Sequence, residues 1–97
     1  MQATSIVKTE KAPRYMKALV NHFSRKTNAA YEGDSGYIEF AFGRCDVQAH
    51  ADTLSFSLNS PGDEELERLK MVIDKHLVRF SQNDIVGLEW EAQSIAK

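Results

Sequence analysis

The sequence predicts an α+β protein built as a two-layer sandwich, an antiparallel sheet with two helices on one face. Three observations carry this. Apolar residues recur at spacings of three or four from Ala12 to Phe23 and again from Leu66 to Phe80, as on a helix with one buried stripe. Between them, from Tyr37 to Asn59, apolar and polar residues alternate, as in strands with one buried and one wet face. The length, 97 residues, suits one domain whose single core lets the three surfaces close on each other; that core is expected over about residues 4–92.

Taken in order, Ser5-Ile6-Val7-Lys8-Thr9 is short and rich in β-branched residues, which predicts a first strand. A helix follows, with Pro13 in its first turn, where a missing N–H costs nothing. Ala12, Met16, Leu19 and Phe23 share one face, Tyr15 and Val20 flank it, and His22 and Lys26 extend the Tyr15–Leu19 row. Lys11, Arg14, Lys17, Arg25 and Lys26 make this helix basic, and Thr27-Asn28 is its expected end. Glu32-Gly33-Asp34-Ser35-Gly36 is a turn signal between a strand at Ala29–Tyr31 and one in which Ile38, Phe40 and Phe42 point inward. Gly43 allows a second turn. Cys45, Val47 and Ala49 alternate with polar neighbours, Ala51-Asp52 turns again, and Leu54, Phe56 and Leu58 alternate most cleanly of all.

Ser60-Pro61-Gly62-Asp63 reads as the start of the second helix. Ser60 is its expected cap, Pro61 its first residue, and Asp63 the acid that reaches back. The acids from Asp63 to Glu67 suit the positive end of the helix dipole, and Lys75 and Arg79 the negative end. Leu66, Leu69, Ile73, Leu77 and Phe80 form one stripe, widened by Val72 and His76, with Glu67, Lys70 and Asp74 opposite. Ser81 to Asp84 is a polar loop. Val86, Leu88 and Trp90 alternate with Gly87, Glu89 and Glu91 as a final strand, and Met1-Gln2 and Ser94 to Lys97 are expected to be loose. The predicted order is β-α-β-β-β-β-α-β. A TATA-binding-protein-like arrangement and a ferredoxin-like one with an added hairpin both accommodate it.

The formal charge of −2 gives no reason to invoke nucleic acid or a membrane surface. One cysteine excludes an intrachain disulfide and suits a reducing cytoplasm. Met1 to Thr9 contains no long apolar run, so neither a signal peptide nor a membrane span is expected.

Arg14-Tyr15, Leu19, His22-Phe23 and Lys26, then Phe42-Gly43 and Cys45, then His76-Leu77-Val78-Arg79-Phe80 with Trp90 downstream, resemble a bacterial family catalogued as domain of unknown function 2218. The resemblance runs from Thr4 to Trp90. It implies a small cytoplasmic α+β protein without an assigned activity. Similar modules occur fused to siderophore-interacting, ferric-reductase-type flavoproteins, so the resemblance also suggests an iron or siderophore setting. One departure is that Gln82-Asn83-Asp84 lacks the basic residue family members often carry there.

Helix phase places Arg14, His22, Lys26, His76 and Arg79 at or beside the two apolar stripes, so His22 and His76 can meet if the helices pack side by side. Such a group suits a carboxylate or phosphate, because arginine offers a planar fork and histidine a tunable donor. The plainer alternative is that both histidines cap the core edge and bond backbone carbonyls. His22, Cys45 and His76 have the donor types of a zinc site, but they come from three elements at no ligand spacing, and an inward cysteine is ordinarily a small core residue. The same inward setting deprives Cys45 of the electropositive exposure that a nucleophilic thiol needs. The basic first helix lacks the interleaved aromatics of a nucleic-acid surface. Tyr37, Asp46, Gln48, Ser55 and Ser57 decorate the sheet's outer face, which could pair with a second copy.

The expected function is a non-catalytic module for an anionic small molecule, with no cofactor. The alternatives are an enzyme using a histidine in the cleft between helices and sheet, and an interaction domain that forms a homodimer through its open sheet face.

Overall fold

A computed structural model describes residues 1–81 and 90–93 of the chain. The elements are β1 (Gln2–Lys8), α1 (Ala12–Ser24), β2 (Asn28–Glu32), β3 (Ser35–Phe40), β4 (Gly43–Ala49), β5 (Thr53–Asn59), α2 (Asp63–Phe80) and β6 (Glu91–Gln93). This is the predicted order. The strands form one six-stranded sheet in the order β2-β3-β4-β5-β1-β6.

The centre of the sheet is a meander, β2 to β5, joined by short turns. The first turn has two residues between the paired Glu32 and Ser35, and Gly33 supplies the φ of 62° that tight hairpins demand. β1 then pairs with β5 along its whole length, and β6 adds to the free edge of β1. Every neighbouring pair is antiparallel. The parallel neighbours that a β-α-β crossover creates are therefore absent, and the helix–meander–helix layout is the one observed.

The alternation decides which face is dry. Ile38, then Cys45, Val47 and Ala49, then Leu54, Phe56 and Leu58 point into the core with Ala3 of β1. Against them lie Ala12, Tyr15, Met16, Leu19, Val20 and Phe23 of α1, and Leu66, Leu69, Ile73 and Leu77 of α2. α1 covers β2 to β5, α2 covers β4 and β5, and the two helices touch. Gly43 sets how closely α2 approaches. Its φ is +154°, and a Cβ there would sit 2.6 Å from Leu69 Cδ1 and 2.7 Å from the Asn59 carbonyl oxygen.

Several boundaries differ from the sequence expectation. Met1-Gln2 is tied down: the Met1 ammonium donates to the Ser60 carbonyl at 2.8 Å, and the Ser60 amide donates back to Met1 at 2.9 Å. β1 thus begins at Gln2, opposite Asn59. Ser60 is consequently no helix cap. It is buried, its hydroxyl donates to the Gly62 carbonyl at 2.8 Å, Gly62 is the N-cap, and α2 starts after Pro61. α1 ends at Ser24, because Asn28 opens β2 and Thr27 donates its hydroxyl to the Glu39 carbonyl. Phe42 falls in the β3–β4 turn, yet packs against the core beside Phe40. Asp74 and Lys70 are half-buried rather than on a fully wet face. The expected strand through Val86 and Leu88, the loop from Gln82 to Asp84, the tail from Ser94 and the burial of the Phe80 side chain lie outside the described residues.

Candidate functional site

Where the last turn of α1 crosses α2, helix phase brings His22 and His76 together, their ring centroids 4.9 Å apart. Phe23 presents its ring to both, at 5.0 Å from His22 and 4.9 Å from His76. Beneath it Phe40 meets Phe23 edge-on at 5.1 Å and stacks on Phe42 at 5.1 Å. Arg68 of α2 lies 5.3 Å from the Phe42 centroid. The seam is thus an aromatic wall with two imidazoles at its outer edge. Nδ1 of His76 lies 2.7 Å from the Val72 carbonyl oxygen. A carbonyl only accepts, so Nδ1 carries the hydrogen. In this bond His76 matches the plainer reading of a histidine at a core edge.

Electrostatics distinguish His22. Its pKa is held below 6.5, first by burial and then by the positive charges of His76, Lys26, Arg79 and Arg25. The neutral ring is therefore favoured on folding. The folded pKa lies below the unfolded one, so this stability is complete above pH 6.5. It is lost as pH falls through the folded value, because the unfolded chain then binds the extra proton. A plot of denaturation midpoint against pH should therefore slope downward on acidification below 6.5, and His22→Gln should flatten it. An unaltered slope in that variant would count against the assignment.

The other sheet face carries cross-strand rows set by register. One row runs Glu32, Ser35, Gln48, Ser55, Ile6, and the next Ala30, Tyr37, Asp46, Ser57, Thr4. Ser35 donates to Gln48 at 2.5 Å and Ser55 to the Gln48 carbonyl at 3.2 Å. Arg44 is fixed by Glu39 at 3.0 Å and Asp46 at 3.1 Å, and lies 4.7 Å from the Tyr37 centroid. Two adjoining hollows, of about 520 and 750 Å³, share Ser35, Gly36 and Asp46. Ile6 is 72% exposed on this face.

The profile of a family described as an uncharacterized protein conserved in bacteria (DUF2218) matches residues 4–91. The chain belongs to this family. A solved structure of similar fold, the NMR structure of PA4090 from Pseudomonas aeruginosa, is 31% identical. The match covers 93% of this chain and 94% of that one, with a TM-score of 0.79. No curated protein matches the chain. Among the described residues, no helix is long and apolar enough to cross a membrane.

Several residues on which the DUF2218 resemblance rests are architectural. Tyr15, Leu19, Phe23, Cys45 and Leu77 are buried core, and Phe40 and Phe42 brace them. Of the candidate anion-binding residues, His22 and His76 are in ring contact, and Lys26 and Arg79 act on His22. Arg14 is exposed on α1 about two turns before His22 and is not among the charges that act on it. Arg25 belongs to the group but was missed. The signal was its place beside Lys26 at the basic end of α1.

The zinc-type set is not assembled. Among the described residues no three His, Cys, Asp or Glu side chains are placed to hold a metal ion. Cys45 sits in the β4 ladder between Ile38 and Leu58, fully buried. Burial, then the nearby Asp46 carboxylate, push its thiol pKa far up, the opposite of what a nucleophile requires. A disulfide-exchange reagent should leave this single cysteine unreacted in the native protein and modify it fully in denaturant. Fast reaction of the native form would contradict its burial.

Proposed function

We propose that this DUF2218 protein is a non-catalytic binding module that takes an anionic small molecule at the α1–α2 seam. The observation supporting this reading is the sign of the charges around His22: His76, Lys26, Arg79 and Arg25 all disfavour its protonation. A carboxylate or phosphate placed there reverses that balance, accepts charge-assisted hydrogen bonds and draws a proton onto the His22 imidazole. Arg14 is a flanking contact for a larger ligand. The siderophore setting that the resemblance suggests makes carboxylate and catecholate chelates the first ligands to try. Calorimetric titration with citrate and with a catecholate should show binding that tightens on acidification and weakens with salt. His76→Ala with Arg79→Ala should abolish it. No binding to any anionic ligand, or binding indifferent to the double variant, defeats the reading.

A second reading, a homodimer through the open sheet face, is favoured by Ile6, a large aliphatic left 72% exposed among serines and threonines. Sedimentation at tens of micromolar, roughly the scale of weak biological association, should then show a dimer that Ile6→Glu disrupts. A pure monomer ends it.

A further inference from the structure

The geometry points to a bound water molecule bridging Ser5 and Trp90 on the core side of β1. Both polar groups, Ser5 Oγ and Trp90 Nε1, are buried and have no hydrogen-bond partner among the described residues. They are also neighbours. The β1–β6 ladder pairs Gln2 with Gln93, Ala3 with Ala92 and Thr4 with Glu91; its register carried one step further sets Ser5 opposite Trp90, the residue that precedes β6. On its other flank Ser5 pairs with Phe56, and the Phe56 and Trp90 ring centroids are 6.1 Å apart. Ser5, 3% exposed, thus lies in a notch framed by two rings.

The donor chemistry is complementary. The indole N–H only donates, and the serine hydroxyl both donates and accepts. A water oxygen accepts from Trp90 Nε1 and bonds to Ser5 Oγ, which satisfies two groups that are costly to bury alone. It also fastens the residue leading into β6, an edge strand of three residues, to the adjoining strand. Trp90 is the one tryptophan, so its indole proton is a single identifiable NMR signal. Water-selective cross-relaxation on the full chain should give a long-lived water contact to that proton. Ser5→Ala should lose the contact while the Trp90–Phe56 ring contacts persist. A high-resolution crystal structure should place one solvent oxygen within hydrogen-bond distance of both atoms. A direct bond from Trp90 Nε1 to Ser5 Oγ, or no long-lived water at the indole, overturns the proposal. The measurement on the unsubstituted protein decides this even if Ser5→Ala does not fold.

Discussion

Gly43→Ala is expected to lower stability by roughly 2–5 kcal/mol, because two penalties act at one position. The backbone is at φ +154°, a conformation that L side chains rarely adopt. The added Cβ also meets Leu69 Cδ1 at 2.6 Å and the Asn59 carbonyl oxygen at 2.7 Å. The leucine tip can rotate away, but the carbonyl belongs to β5, where Asn59 is paired with Arg44. Relief therefore requires moving a strand. Gly33→Ala is the control. Gly33 has φ +62° and nothing within 4 Å of its added Cβ, so only the left-handed backbone penalty applies, about 1–2 kcal/mol. Urea denaturation of both variants should separate them clearly. Equal midpoints would mean that the close approach of α2 to the β3–β4 corner is not rigid.

Phe56→Ala is expected to cost about 3–5 kcal/mol, the range for truncating a well-packed core aromatic. Phe56 is 2% exposed in the strand between β4 and β1. Val47 and Ser5 are its register partners, and the Trp90 ring rests against it. Small domains have only about 5–15 kcal/mol in total, so the variant should lose a large share of its stability. Trp90 fluorescence should change with it, since the indole loses its neighbour. A midpoint within a few tenths molar of the parent would refute the burial assigned to β5.

The features legible in the sequence are those with a short period. The alternation of Leu54, Phe56 and Leu58, and the stripe of Leu66, Leu69, Ile73 and Leu77, mark the faces that are buried. Helix phase, on the condition that the two helices pack side by side, anticipated that His22 and His76 meet. The misread features depend on partners far along the chain. Ser60 has the chemistry of a cap, but Met1, 59 residues away, engages its backbone. The sequence places Ile6 in a strand without assigning its face, and pairing with Ser55 turns it outward. Phe42 continues the alternation of β3 but falls in a turn, because Phe40 pairs with Gly43. Nothing local encodes that β1 slots between β5 and β6, nor that Arg44 bridges Glu39 and Asp46.

The position of β1 also governs when the protein can assemble. The meander from β2 to β5 can zip by successive hairpins, each closing a short loop. β1 is made before the meander, but its partner, residues 53–59, emerges from the ribosome much later, and closing that long loop carries an entropic cost before any contact repays it. Until then the edge of β5 stands open, and a nascent chain is most exposed to mispairing with its neighbours in that interval.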